Sequence, residues 1–199
     1  LVIVPEAVGP FLASAFLEST PEAPAFGGNG VQQVTVLASE QPVLSRSSEW
    51  GDAGVPLFID DDLYVGGDIV PRLALKPGAH LVFSDTARLV VGDASNGPAE
   101  FDVAGTPESP VRLSGTTARP GAWGGVKIGD SPTTARFDYV VLESGGSPML
   151  EWGRASGDIT RSTFRGAAGY PIEVPFSVAH DVILDPVAID AEAGDDLRC

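Results

Sequence analysis

The sequence predicts an all-β fold, a single-stranded right-handed parallel β-helix (β-solenoid) of about seven coils. Three observations lead to this prediction. Residues 72–146 form a run of short apolar strands, each closed by a Gly, Pro or Asp turn. No segment of this run has the length or the period of a helix. The strands also recur too often, and their turns are too uneven, for a simple meander of hairpins.

Each strand is recognised by two apolar residues that are separated by one other residue. Side chains two positions apart point to the same side of a pleated strand, so each pair indicates a strand with one face in a common core. Strands of about three to five residues do not make stable hairpins alone, whereas stacking on the next coil would satisfy their backbone. The pairs are Leu73 and Leu75, Leu81 and Phe83, Leu89 and Val91, Phe101 and Val103, Val111 and Leu113, Val126 and Ile128, and Phe137 and Tyr139.

The turns between the strands carry glycines at regular places. Pro77-Gly78 and Pro120-Gly121 are typical of tight turns. Gly92, Gly105, Gly115 and Gly129 each follow an apolar pair, where a left-handed residue would let the chain turn a corner. Three strands and three turns take roughly 22 to 30 residues per coil, and seven coils spaced by about 4.8 Å give a body roughly 35 Å long.

We expect one domain over residues 1–199. Its first segment, residues 1–19, is interpreted as core strands, and residues 18–30 and those after Asp190 as loops or frayed ends. Neither end shows a clear amphipathic helix that would cover the edges of the terminal coil. We therefore expect the chain to be a fragment of a longer solenoid, or to have its ends covered by a neighbour.

The charge of the chain limits its partners. There are 27 acidic and 12 basic residues, which give a net charge of −15. A surface this acidic repels phosphate backbones and anionic membranes, so we expect neither a nucleic-acid partner nor membrane insertion. Glycans and protein surfaces stay open as partners. The single cysteine, Cys199, excludes a disulfide within the chain, and the sequence does not define its role.

Residues 49–146 resemble the repeat of bacterial right-handed parallel β-helix proteins of the pectate-lyase-like superfamily, in its secreted or surface-exposed members. The likeness lies in EWGDAGVPLFIDDDLYVGG, LALKPGAHLVF, RLVVGD, GTPESPVRLSG and WGGVKI, and the later segments RFDYVVLESGG and DITRSTFRGAAGYPIEV continue it. The resemblance implies a parallel β-helix that is secreted or displayed at the cell surface.

No catalytic or cofactor-binding residue is assigned from the sequence. The candidate metal ligands are Asp60, Asp61 and Asp62, since calcium prefers several oxygen ligands. Three consecutive residues point in different directions, so the main interpretation of this run is a solvated turn, and calcium is only an alternative.

Other polar and aromatic residues form no spaced motif. Some acids and arginines could lie on the outer face of a coil and supply acid–base chemistry, but ion pairing or solvation is the main interpretation. His80 lies beside Leu81 at a strand start and is expected as a turn residue, too far in sequence from His180 for a metal motif. The tryptophans and tyrosines could stack on sugars, although core or corner packing is favoured for Trp123 and Tyr139. These acids are Glu100, Asp102, Asp138, Glu143 and Glu173, and these arginines are Arg72, Arg112, Arg136 and Arg161.

The predicted function is that of a non-enzymatic secreted or cell-surface β-solenoid that serves as a rigid structural or binding surface. The alternative is a glycan-binding or polysaccharide-cleaving protein of the pectate-lyase-like group. A cytoplasmic scaffold is a third possibility. All three rest on the fold and the resemblance, because no motif in the sequence specifies a reaction.

Overall fold

A computed structural model describes residues 1–10, 33–131, 133–174, 182–190 and 197–198, and these residues are mostly β-strand. The predicted all-β class is therefore confirmed. The strands in chain order are β1 (Val2–Ile3), β2 (Val34–Val36), β3 (Val43–Leu44), β4 (Ser48–Trp50), β5 (Leu57–Ile59), β6 (Leu63–Val65), β7 (Arg72–Leu75), β8 (His80–Phe83), β9 (Arg88–Val91), β10 (Ala99–Ala104), β11 (Val111–Gly115), β12 (Gly125–Ile128), β13 (Thr133–Asp138), β14 (Val140–Glu143), β15 (Leu150–Trp152), β16 (Ser156–Arg165), β17 (Ile172–Glu173), β18 (Val182–Asp190) and β19 (Leu197–Arg198).

Every pairing among these strands is parallel, and the pairs form three stacks. Stack 1 contains β4, β7, β10, β13 and the first half of β16, and stack 2 contains β1, β2, β5, β8, β11, β14 and the second half of β16. Stack 3 runs from β3 through β6, β9, β12, β15 and β17 to β19. Because β16 and β18 each extend over both of the first two stacks, these two join into one 12-stranded sheet beside a 7-stranded sheet.

The chain visits the three stacks in turn. After β5, β6 and β7 it returns with β8 beside β5, β9 beside β6 and β10 beside β7. Consecutive strands therefore pair with strands of the next repeat rather than with each other. This parallel arrangement is compatible with a β-solenoid, and antiparallel partners, which would have contradicted the prediction, do not occur among the described strands.

The core consists of apolar columns that run across the strands of each stack. Inward-facing residues lie opposite one another on successive strands and are fully buried, as the two-residue alternation predicts. In stack 2 the column is Leu57, Leu81, Leu113, Leu142 and Phe164. In stack 3 it is Val65, Val91, Ile128 and Trp152.

Tyr139 departs from the predicted pattern. It is not the second inward residue of a strand, but lies at the corner between β13 and β14 with a φ of 50° and partial exposure. The alternation ends at this corner because a left-handed residue redirects the chain from stack 1 to stack 2. The favoured corner position of Tyr139 is thus confirmed, and its place in an inward pair was wrong.

The glycine corners are only partly as expected. Gly92 adopts the predicted left-handed conformation with a φ of 69°. Gly129 does not, and the reason for glycine there is space: an added Cβ would lie 2.5 Å from the carbonyl oxygen of Gly92 on the preceding strand connection. Close stacking of backbones, rather than a positive φ, therefore requires glycine at position 129.

The amino-terminal segment corrects the prediction of core strands. Of this segment the structure describes residues 1–10, in which Val2–Ile3 is the only strand and residues 5–10 are helical. Pro5 stands at the first helical position, where its missing N–H costs nothing. The helix lies against the free edge of β4, since a Cβ on Gly9 would be 2.5 Å from the Ser48 Oγ, and Val8 is fully buried in the core. The expectation of a helix-free amino-terminal end was therefore wrong.

Residues 18–30 and those after Asp190 were interpreted as loops or frayed ends. Residues 18–30, 191–196 and 199 lie outside the described residues, but Leu197–Arg198 form strand β19, so the interpretation was wrong for these two residues.

Candidate functional site

The outer face of stack 2 carries two adjoining grooves, and His80 contributes to both. The larger groove has a volume of about 470 Å³ and is bounded by the loop that follows β11 and by Glu143 and Arg165. The smaller one, of about 370 Å³, lies beside the loop that precedes β11 and includes Arg112. These loops thus form walls on either side of β11.

Strand register brings the polar residues of the two grooves together. Arg112 lies opposite His80 on the preceding strand, and Ser114 lies opposite Glu143 on the following one. Glu143 in turn lies opposite Arg165 on β16. The same alternation that buries Leu113 turns Arg112 and Ser114 outward, so the floor of the groove is built from side chains on four neighbouring strands.

Hydrogen bonds and ion pairs link these side chains. The His80 Nε2 is 3.3 Å from the Ser114 Oγ. The Arg165 Nη2 lies 2.9 Å from one carboxylate oxygen of Glu143, and the Arg112 Nη1 lies 3.7 Å from the other. A single carboxylate therefore faces two guanidinium groups from the strands on either side.

The surroundings of His80 favour its neutral form. Burial lowers the pKa of the imidazole because it penalises the charged form, and the positive charge of Arg112 lowers it further, while Glu143 opposes both. At neutral pH His80 is therefore an uncharged donor and acceptor in the groove.

The sequence identified part of this site. Glu143 and Arg112 were among the outward-facing candidates, but Ser114 and Arg165 were not. His80 is the first residue of β8, which confirms the expected strand start and contradicts its interpretation as a turn residue. The alternation of inward and outward residues along β11 would have been enough to predict that Ser114 faces outward. Its proximity to His80 could not be predicted, because the two are 34 positions apart, beyond the coil length estimated from the turns.

Most of the other charged candidates form ion pairs on stack 1. Arg72 pairs with Asp102 and Arg161 with Asp138, the latter at 2.6 Å. Arg136 lies 3.5 Å from Asp158 on the next strand. These contacts support the interpretation of the outer acids and arginines as ion pairs between stacked strands. Glu100 and Glu173 lie on β10 and β17, and neither borders the two grooves.

The three aspartates at 60–62 have separate local roles. Asp60 accepts hydrogen bonds from the backbone and hydroxyl of Ser39, and Asp62 accepts them from the Arg88 N–H and the Tyr64 hydroxyl. Asp61 accepts a hydrogen bond from the N–H of Asp62. They therefore act as turn acceptors that tie one strand connection to its neighbours. In the described part of the chain, no group of three His, Cys, Asp or Glu side chains is placed to hold a metal ion. A calcium site at Asp60–Asp62 stays a prediction.

The three tryptophans are core residues. Trp50, Trp123 and Trp152 are at most 1% exposed, which confirms core packing for Trp123 and leaves none of them as a sugar-stacking surface. Trp123 stacks on Phe83 with ring centroids 4.6 Å apart. Its indole N–H donates to the carbonyl oxygen of Glu143, so the core directly supports the strand that carries the groove carboxylate.

Two residues named from the sequence, His180 and Cys199, lie outside the described residues. Within the described ranges there is no helix with the length and apolar character needed to cross a bilayer.

The fold and the groove define the class of this protein as an all-β, parallel-stranded, solenoid-like protein with a polar surface groove. Comparison with models of known protein families gives no match, and neither do comparisons with curated proteins or with solved structures.

Proposed function

We propose that the chain is a right-handed parallel β-helix of about seven coils that acts as a rigid, non-enzymatic binding surface, secreted or at the cell surface. The seven strands of stack 3 support the number of coils. The handedness is supported by the general rule that parallel crossover connections are right-handed in about 98% of cases.

The observation that carries this proposal is the unbroken parallel pairing of stack 2 from β2 to β18. It places outward side chains of successive strands about 4.8 Å apart on a backbone with little freedom. Cross-strand pairs such as Arg165 with Glu143, at 2.9 Å, further order this surface. A surface that is ordered before binding loses less entropy when a partner docks, which suits a glycan or protein partner.

The secreted or surface location is supported by the resemblance of residues 49–146 to pectate-lyase-like repeats. The net charge of −15 is consistent with partners that are neutral or basic and disfavours nucleic acid.

One observation favours the alternative, a glycan-binding or polysaccharide-cleaving protein. The groove on stack 2 places a carboxylate, Glu143, and a neutral imidazole, His80, beside several hydroxyl groups. Carboxylates and imidazoles are common general acids and bases in enzymes. If the protein binds or cleaves glycans, calcium held near Asp60–Asp62 would assist ligand binding.

The two functions are distinguished by incubating the protein with neutral and acidic polysaccharides, with and without calcium, and measuring reducing ends, unsaturated products and retention in affinity electrophoresis. The leading proposal expects retention of the protein by a glycan or protein partner without turnover. Turnover that is lost in Glu143→Gln and kept in Glu100→Gln, a matched change at an exposed carboxylate on stack 1, would establish the alternative.

The architecture has its own test. Far-ultraviolet circular dichroism of a parallel β-helix should show a dominant β-signal. Absence of that signal would contradict the fold on which both functions rest.

A further inference from the structure

We propose that Asn96 is a deamidation site that the fold keeps closed, and that its turn acts as a one-way sensor of local opening. Asn96 is followed by Gly97, and glycine has no side chain to obstruct the approach of its main-chain nitrogen to the asparagine amide. The two residues lie in the connection from β9 to β10, at the corner between stacks 3 and 1. They border neither groove, so this inference goes beyond the binding surface proposed above.

The reaction at this dipeptide needs only water as a co-reactant. The Gly97 nitrogen attacks the side-chain carbonyl carbon of Asn96, a new N–C bond forms, and the bond from Cγ to Nδ2 breaks. The proton of the Gly97 N–H goes to the leaving nitrogen, which departs as ammonia. Water then opens the succinimide ring and leaves an aspartate or an isoaspartate. Asn96 is half-buried rather than enclosed, so water reaches it.

Asp93 holds both reacting nitrogens. The Gly97 N–H donates to the Asp93 carbonyl oxygen at 2.9 Å, which keeps the proton on the attacking nitrogen and fixes its direction. The Asp93 Oδ1 accepts from the Asn96 N–H at 2.7 Å and from the Asn96 Nδ2 at 3.0 Å. An aspartate that bonds the backbone two or three residues on is a common turn former. Ring closure therefore requires these bonds to break first.

Neighbouring connections clamp the turn from both sides. On the preceding repeat, a Cβ added to Gly66 would lie 2.6 Å from the Asn96 carbonyl oxygen, so the two backbones are in close contact. On the following repeat, the Ser131 Oγ donates to the Asp93 carbonyl oxygen at 2.9 Å. Because the turn is packed between stacked connections, the rotation that ring closure needs is possible only when the repeats separate locally.

Deamidation makes such an opening permanent. It replaces the Nδ2 donor of Asn96 by a carboxylate beside the Asp93 carboxylate, and like charges at this distance repel. An isoaspartate also adds one atom to the main chain, where the turn has no space beside Gly66. A turn that has reacted therefore does not return to the stacked form. The reacted fraction of the protein records how often this repeat has opened.

The test is incubation of the full chain at pH 8 and 37 °C, followed by peptide mapping with mass spectrometry. The reference is a synthetic peptide of residues 93–99, which has the same dipeptide without neighbouring repeats. Asn96 in the folded chain should deamidate at least about tenfold more slowly than in the peptide, because the rate follows the fraction of time that the turn is open. Equal rates in the chain and the peptide would overturn the proposal.

Substitutions at Asp93 identify the group that closes the site. Asp93→Ala removes the carboxylate acceptor and should bring the rate close to that of the peptide. Asp93→Asn keeps an oxygen acceptor and should preserve most of the protection. Asp52→Ala is the matched control, because Asp52 accepts a hydrogen bond from the Gly54 N–H at 2.7 Å in a turn at another corner. A folded Asp93→Ala protein that reacts no faster than Asp52→Ala would refute the role of Asp93.

Circular dichroism shows whether Asp93→Ala is folded. If it is not, Ser131→Ala replaces it, since this change removes only the clamp from the following repeat. Its rate should lie between those of the unaltered chain and the peptide, and a rate equal to that of the unaltered chain would contradict the clamp.

The permanence of the opening is tested with Asn96→Asp, which carries the carboxylate of the product. Its Tm at pH 7 should lie below that of Asn96→Ala, because Asn96→Ala loses the amide donor without placing a second charge beside Asp93. Equal Tm values would refute the one-way sensor.

Discussion

Arg161 lies over the ring of Tyr139, with its guanidinium carbon 4.8 Å from the ring centroid. Both residues stand at the same corner between stacks 1 and 2, in successive repeats, and both have a left-handed backbone, with φ values of 48° for Arg161 and 50° for Tyr139. The Nε and Nη2 atoms of Arg161 also donate to the two carboxylate oxygens of Asp138, at 2.8 and 2.6 Å. A cation–π contact and a bidentate ion pair therefore hold a corner for which glycine would be the usual residue.

This corner should make the stability of the protein depend on acid pH. The hydrogen bonds from Arg161, with one from Thr160, outweigh burial and lower the pKa of Asp138 below its ordinary value of 3.8. A carboxyl group whose pKa is lower in the folded state stabilises the fold above the unfolded pKa, and this stability is lost as pH falls through the folded pKa. We expect Asp138→Asn to lower the Tm at pH 7 and to reduce the further loss of Tm below about pH 4. Thermal unfolding between pH 2 and 7 measures this.

Asp130→Asn is the control for that measurement, because Asp130 is an exposed aspartate outside this corner. Its Tm profile should follow that of the unaltered protein. A profile of Asp138→Asn that runs parallel to it at every pH would contradict the role of Asp138.

A second prediction concerns the core beneath the groove. Trp123 is 1% exposed, stacks on Phe83 and donates to the carbonyl oxygen of Glu143. Trp123→Ala should destabilise the fold by about 3–5 kcal/mol, since it leaves a large cavity. Trp123→Phe keeps the stacking and should cost clearly less. Urea unfolding followed by circular dichroism compares them, and equal losses would show that the ring contact contributes little.

Removing two buried hydroxyl groups should change the stability of the fold in opposite directions. Ser162 Oγ donates to the Thr160 carbonyl at 2.8 Å and accepts from the Val140 N–H, so Ser162→Ala should cost about 1 kcal/mol. The buried Thr133 Oγ1 has no hydrogen-bond partner among the described residues. Thr133→Val keeps its shape and should therefore stabilise the fold by about 1 kcal/mol. Destabilisation by Thr133→Val in urea unfolding would show that this hydroxyl has a partner.

The amino-terminal helix should protect an exposed sheet edge. Residues 5–10 lie against β4, which is the end strand of stack 1 among the described strands and pairs there with β7 alone. Val8→Asp places a charge at a fully buried position and should detach the helix. Uncovered strand edges pair with other chains, so the variant should associate with itself. Analytical ultracentrifugation measures this over a range of concentrations.

Glu6→Gln is the milder control for that experiment. Its hydrogen bond with the Ser45 hydroxyl is kept in a neutral form, so the helix should stay in place and the protein should not change its association state. If both variants stay monomeric, the helix is not needed to prevent other chains from pairing with the edge of β4.

The sequence predicted the strands better than their connections. The pairs Leu81 and Phe83, or Val126 and Ile128, are buried as expected, because alternation depends only on neighbours along the chain. The helical residues 5–10 were missed because they include two prolines and a glycine and carry too little periodicity to indicate a helix. Most of the stability of a helix in a protein comes from what it packs on, which the sequence does not show.

The candidate site shows the same limit. Arg112 and Glu143 were recognised as outward residues, each from its own strand. The number of residues in each repeat decides that Glu143 lies between Arg112 and Arg165, and that His80 lies beside Ser114. The loops on either side of β11 lengthen this repeat, so the partner of a given residue could not be counted from the average spacing.

By itself the sequence determined that short parallel strands bury alternate side chains around a common core, because that information is local and repeats along the chain. Only the tertiary structure decided which outward side chains meet across the strands, where the left-handed corners fall and how the edge of β4 is covered. Those features depend on register between residues far apart in the chain, and register follows from the packing of whole repeats on one another.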